Sequence, residues 1–332
     1  MSFKSRERAH QLAWKGTTTT LSAKALESGL YTGSPDAPED DRDEMFLHEE
    51  RSEENLFPWI RDEALELFVS IGADWHDGPT TRLPSNYLMD SQVSCVNCLL
   101  PLAHHPEALA SFFRPLVPEA VSAQVVEDNR SLTFEWIGLG NPLGEPSSRR
   151  RRGAYGTSID AYCILCCEDG RRIGLAIEWK YTESYPRMKH HRHRIPVYRP
   201  HMEAPAGPLC CDTIGGCASL FCEPSYQLAR SQCLAWRMEQ ARELGVDEVR
   251  FVVIVPQGNQ AYRQQHHSGT LARVFPGLGP LDVHRRLLRR TDRFAVTSIV
   301  ELVHAFDEGI FPSLEAPMSE VRRRYVDGRH VE

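Results

Sequence analysis

Ser158-Ile159-Asp160-Ala161-Tyr162-Cys163-Ile164-Leu165, then Glu168-Asp169-Gly170-Arg171-Arg172, then Ile173-Gly174-Leu175-Ala176-Ile177-Glu178-Trp179-Lys180, is the stretch that decides how this chain is read. Both flanks are short apolar runs of strand length. The Asp169-Gly170 pair between them is a dipeptide that tight hairpin turns favour, because such turns need positive φ. The stretch therefore predicts two adjacent antiparallel strands, with Asp160 on the first and Glu178-x-Lys180 on the second. Strand side chains alternate, so Glu178 and Lys180 share a face. Two carboxylates on neighbouring strands offer the hard oxygen ligands that Mg²⁺ or Mn²⁺ takes. A lysine beside them suits phosphodiester hydrolysis: the cation polarises the phosphate, and the lysine positions or deprotonates the attacking water. The competing reading is a structural strand pair with one exposed acid and one ion pair.

Working outward, Ser85 to Ala103 reads as a helix with an apolar stripe of Val93, Val96, Leu99, Leu100 and Ala103, and with Gln92 and Asn97 near its edges. Leu132 to Ile137 reads as a strand, on which Glu135 alternates with Phe134 and Trp136. After the hairpin comes residues 181–224, rich in Pro, Gly, His and Arg, read as a long inserted loop. Ser225 to Leu244 reads as a second helix, in which Gln227 and Arg230 lie one turn apart on one face. Val249 to Val255 is a nearly continuous apolar run, the pattern of a strand buried on both faces. Phe57 to Ile71 is an amphipathic helix pattern, and Phe294 to Phe306 carries a capping box at Ser298 and Glu301.

With these elements in this order, the chain resembles the PD-(D/E)XK nuclease superfamily over about residues 85 to 260. One group of restriction-like members carries a Ser-Gln pair in the first helix and a Gln-x-x-Arg in the second, which Ser91-Gln92 and Gln227-Leu228-Ala229-Arg230 match. The Pro-Asp of the family name is absent, since Ile159 precedes Asp160. The resemblance implies an α/β fold with a restriction-endonuclease-like core: a mixed β-sheet flanked by helices, in α-β-β-β-α-β order, with N- and C-terminal additions. It implies a metal-dependent nuclease, most readily a restriction-like DNA endonuclease. Asp160 and Glu178 would hold Mg²⁺, with Mn²⁺ as a substitute. The main-chain carbonyl of Trp179 would be a further ligand, and Glu135 either another ligand or a solvent-facing strand residue. Lys180, Gln227, Arg230 and Gln92 would complete the catalytic set. Nucleic acid is the expected partner, DNA ahead of RNA, and a homodimer would let a single-site enzyme cut both strands. The alternative is a catalytically silent module on the same fold that binds nucleic acid or a protein.

Composition bounds the rest. With 41% apolar and 25% charged residues the chain has the mix of a soluble globular protein. No apolar run approaches the roughly 18 residues that span a bilayer, and no apolar stretch follows the charges of Met1 to Arg6, so a cytoplasmic protein is expected. The net charge of −7 is concentrated in residues 36–54, which hold ten acids and two arginines. The expected organisation is a polar, acidic and partly mobile segment over 1–54, a nuclease-like domain over 55–310, and a polar basic tail over 311–332. Two basic clusters bracket the hairpin, and a polyanion approaching carboxylates needs such charge nearby. Arg149, Arg150, Arg151 and Arg152 from the first, and Arg187, Lys189, Arg192 and Arg194 from the second, are therefore expected to meet phosphates. Arg322, Arg323 and Arg324 read as a solvated run. Ten cysteines include Cys210, Cys211, Cys217 and Cys222 in a Gly-rich loop, read either as thiols or as a zinc site.

Overall fold

A computed structural model describes residues 1–33, 38–76, 82–146, 150–185, 189–265 and 269–327. Its strands are β1 (Ala120–Gln124), β2 (Leu132–Trp136), β3 (Ile159–Cys167), β4 (Arg172–Trp179), β5 (Glu248–Ile254) and β6 (Phe294–Thr297). Helices α1 (Phe3–Thr17), α2 (Arg61–Ser70), α3 (Ser91–Leu99) and α4 (Pro106–Phe112) precede the sheet. Helices α5 (Ile195–Met202) and α6 (Ser225–Gln240) join β4 to β5. Helices α7 (Gln260–Arg263), α8 (Gly269–Val274) and α9 (Pro280–Leu287) join β5 to β6, and α10 (Ile299–Ala305) and α11 (Glu315–Tyr325) follow.

The hairpin forms where the Asp-Gly pair places it. Gly170 takes φ +84°, and its N–H donates to the Cys167 carbonyl. From there the sheet grows in the order β1-β3-β4-β5-β6, with β2 pairing the same edge of β3 as β1. The pairs β1–β3, β2–β3 and β3–β4 are antiparallel, and β4–β5 and β5–β6 are parallel. This is a mixed sheet on the restriction-endonuclease-like plan. Alternation assigns the faces. Ala161, Cys163 and Leu165 of β3 pack with residues of α2, α3, α4, α10 and α11. Tyr162 and Ile164 turn to the other face, among residues of α5, α6 and α9. Each face is covered by helices, so β4 and β5 are apolar on both sides, as their continuous runs require.

Several boundaries differ from the sequence reading, each for a local reason. The first helix starts at Ser91, because the Asp90 side chain accepts the Val93 N–H and caps it there. Residues 294–306 divide into β6 and α10 at the Ser298–Glu301 capping box. Strand β1 carried no signal, because Ala-Val-Ser-Ala-Gln lacks the run of bulky β-formers. The segment 181–224 is not an uncovered loop: Tyr198, Met202, Leu220 and Phe221 are buried against α6.

Both ends of the chain also enter the core. Trp14 of α1, Leu21, Ala25, Met45 and Leu47 are buried, although their neighbours are polar or acidic. Arg324 of α11, expected in a solvated run, is fully buried. It donates to the Asn55 carbonyl at 2.9 Å and to Gln11 Oε1 at 3.2 Å, and lies 4.0 Å from the centroid of Trp14. Arg322 and Arg323 are engaged by Glu308 and Glu320.

One buried histidine gives the fold a pH response. His284 of α9 sits edge-on to Phe251 and Phe294, 3.3 Å from Gln232 Oε1. Burial pushes its pKa down to about 3. The folded protein therefore keeps it neutral while the unfolded chain protonates it below 6.5. Stability should decline as pH falls from 6.5 toward 3, by up to about 1.4 kcal/mol per pH unit from this group. His284→Asn should show a shallower loss of urea midpoint between pH 6.5 and 5 than the wild type. Parallel curves would show that the ring is not held neutral.

Candidate active site

Strands β3 and β4 last pair at Ala161 and Ile177, and the next step of that ladder sets Asp160 opposite Glu178. Both belong to the face of Tyr162 and Ala176, which α6 covers. Asp160 is half-buried, and its Oδ2 accepts the Trp179 N–H at 2.6 Å. Glu178 is fully buried. Its Oε1 accepts from Lys180 Nζ at 2.7 Å and from Gln227 Nε2 at 2.5 Å. Ser231 Oγ stands 3.5 Å from Oε2. The α6 face that carries Gln227 thus reaches the strand carboxylate, as the i, i+4 spacing of Gln227 and Ser231 allows. That spacing was the available signal for Ser231, which the sequence reading passed over.

The electrostatics follow from this crowding. Burial, then the charge of Glu178, hold the Asp160 carboxyl well above the usual range, against the pull of Lys180. Burial opposes the charge of Lys180, but Glu178, Tyr185, Asp160 and Glu183 outweigh it and hold the ammonium well above its ordinary pKa. Lys180 is therefore a cation here.

Glu135 joins from β2. It is buried, and it is skipped in the ladder between Phe134–Ala161 and Trp136–Ile159. Its φ is +50°, a left-handed conformation that a glutamate adopts at a cost of about 1 kcal/mol or more. Gln92 of α3 donates to its Oε1 at 2.8 Å and receives the His76 N–H at 2.8 Å. Burial raises the Glu135 pKa, with His76 and Gln92 opposing. A pocket of about 290 Å³ opens among Asp160, Glu135, Lys180, Gln92, Gln227 and His76. His76 lies in irregular chain after α2, where no periodicity could have marked it.

The structure thus brings together Asp160, Glu178, Lys180, Gln227, Gln92 and Glu135. Arg230 stands at the margin: Nη1 donates to the Gly156 carbonyl at 3.1 Å, and Nε is buried without a partner. The first basic cluster is otherwise committed. Arg150 is nearly buried on Glu145 at 3.1 Å, Arg151 meets Asp74 at 2.5 Å, and Arg152 meets Glu127 at 2.7 Å. Arg150 and Arg152 also donate to the Ile137 and Phe134 carbonyls at the end of β2, whereas Arg151 and Asp74 stay partly exposed. Arg149 and Arg187 lie outside the described residues. In the second cluster Lys189 and Arg192 are exposed and Arg194 is half-buried. Among the described residues, no group of three or more His, Cys, Asp or Glu side chains is placed to hold a metal ion. The set Cys210, Cys211, Cys217 and Cys222 is accordingly not assembled as a zinc site; Cys211 Sγ donates to the Met202 carbonyl.

The family model described as Restriction Endonuclease associating with ARP matches residues 8–326. The chain belongs to this restriction endonuclease family. The match runs from α1 through α11, so both terminal elements lie within the family's extent. Membership makes the protein nuclease-like, with nucleic acid as the substrate class. The same comparisons give no match to a curated protein or to a solved structure. Among the described residues no helix is long and apolar enough to cross a membrane.

Proposed function

We propose that this protein is a metal-dependent endonuclease that hydrolyses phosphodiester bonds of DNA. The observation that carries the reading is the placement of Asp160 opposite Glu178, with Lys180 bonded to Glu178 and lining the same pocket. Two crowded carboxylates, one held at a raised pKa by burial and the other's charge, form a donor set that a divalent cation relieves. Mg²⁺ takes one or two carboxylates and keeps several waters, so Asp160, Glu178 and the Trp179 carbonyl suit it. The bound cation would polarise the phosphate and lower the pKa of a ligated water.

The side chains divide the remaining work. Lys180, held as an ammonium ion, orients the water and stabilises charge gathering on the phosphoryl oxygens. Gln227 and Ser231 fix the Glu178 carboxylate, and Gln92 fixes Glu135 at the pocket wall. Water forms a new P–O bond, the bond to one sugar oxygen breaks, a water proton passes to solvent, and the departing oxygen takes one back.

Supercoiled plasmid incubated with the purified protein tests this. Nicked or linear product should form with Mg²⁺ or Mn²⁺ and cease with chelator. A retarded complex in every condition with no product in any would favour the silent binding module. Cleavage of RNA alone would move the substrate to the other nucleic acid.

A further inference from the structure

Beside the carboxylates lies a cationic cluster that the chemistry above leaves unused. Its floor is Tyr226, at the start of α6. The His191 ring stacks on Tyr226, with centroids 4.5 Å apart and planes 21° apart. The Arg230 guanidinium lies 5.4 Å from the centroid of the same ring. His191 Nε2 is 3.1 Å from a Glu223 carboxylate oxygen.

The backbone holds this arrangement. His190 bridges to Cys222, the Glu223 N–H donates to the Lys189 carbonyl, and the His191 N–H donates to Phe221. Residues 189–194 are therefore pinned along the entry to α6. Burial, followed by Lys189, Arg230, His193 and Arg194, lowers the His191 pKa. Glu223 and Glu178 are the anions that face Arg230.

The cations exceed their partners. Among the described residues, the side chains of Lys189 and Arg194 take part in no hydrogen bond or ion pair, and Arg230 Nε is buried and unpaired. Elsewhere in this protein half-buried arginines have carboxylates: Arg152 has Glu127, and Arg293 has Glu239 and Glu248. Glu178 and Glu223 face Arg230 but, among the described residues, neither reaches ion-pair distance, and the planar guanidinium fork fits the paired oxygens of a phosphate. The location names which phosphate. Gln227, which holds Glu178, lies one helical turn before Arg230.

We propose that Lys189, Arg194 and Arg230 form a subsite for a backbone phosphate of the DNA strand next to the one being cleaved, with Tyr226 and His191 as its frame. This rests on the nuclease reading above. The subsite would set the path of the strand across α6 and place the reacting phosphate by its neighbour. Phosphate contacts position a duplex without reading its sequence, so the subsite would act alike on all sequences.

Arg194→Gln tests it, since among the described residues that side chain takes part in no hydrogen bond or ion pair of the fold. Binding of a fluorescent DNA duplex is followed by anisotropy across a chloride series without divalent cation, for wild type, Arg194→Gln and Arg194→Lys. Arg194→Gln should bind about tenfold more weakly at low salt, with a log–log salt slope smaller by roughly 0.9. Arg194→Lys should restore the slope. A structural role alone would lower the melting temperature and leave the slope unchanged. If wild type binds DNA and Arg194→Gln binds with the same slope, the subsite is refuted and the nuclease reading stands. If wild type binds no nucleic acid, both fall.

Discussion

Asp160→Asn should remove Mg²⁺-dependent cleavage, slowing it by about a thousandfold, and at the same time raise the melting temperature of the metal-free protein by about 2 °C. The two effects have one cause. Asp160 is half-buried opposite Glu178, so its charge is useful only when a cation lies between them. Without the cation, burial and the charge of Glu178 hold its folded pKa above the unfolded value. A raised carboxyl pKa means that the folded state binds the proton more readily. Stability therefore falls as pH rises from the unfolded pKa toward the folded one, and stays lower at neutral pH. The amide removes this penalty, yet its oxygen still accepts the Trp179 N–H. Thermal melts with and without Mg²⁺ read the metal directly: wild type should gain stability with the cation, and the variant should not. A wild type indifferent to Mg²⁺, or an active variant, would put the metal and the chemistry elsewhere.

Arg324→Ala should cost about 4 kcal/mol of stability, the largest loss expected from a residue outside the pocket. The side chain is fully buried and is met by carbonyl and amide oxygens: Asn55 twice, Gln11 and Leu88. Its removal strands those acceptors and also forfeits the contact 4.0 Å above Trp14, worth about 2 kcal/mol when desolvated. Urea unfolding gives the total. Proteolysis under native conditions should cut near α1 in the variant first, because α1 docks on α11 through this residue. A loss under about 1 kcal/mol would mean that α1 and the Asn55 turn hold without it.

The part of the fold legible in the sequence is the part with strong local signals. The Asp169-Gly170 turn, the unbroken runs 173–179 and 249–254, and the Ser298–Glu301 capping box all state their conformation within a few residues. Asp160, Glu178 and Lys180 were legible because they lie on the apolar runs either side of that turn, and Gln227 because it shares a helix face with Arg230. What was hidden depends on distant partners. Nothing in Arg150 or Arg152 says that Glu145 and Glu127 will claim them, so a structural pair reads as a basic patch. Arg324 looked solvated in a run of three arginines, because its acceptors come from residues hundreds of positions earlier. Helix α1 offered too few apolar residues to mark a stripe, and its burial rests on Trp14, Gln11 and Glu7.

Asn97 on α3 connects the pocket to the order in which the chain is made. Its Oδ1 accepts the Phe57 N–H, and its amide donates to the Asn55 carbonyl and to Tyr325 Oη, a residue 228 positions later. Gln92 stands on the same helix. A growing chain will have released Asp160, Glu178, Lys180 and Gln227 from the ribosome while α3 still lacks that last bond and Asn55 still lacks Arg324. Every acidic and amide group of the pocket then exists before the helix that carries Gln92 is locked, so synthesis of the pocket's residues and completion of the pocket are separated in time.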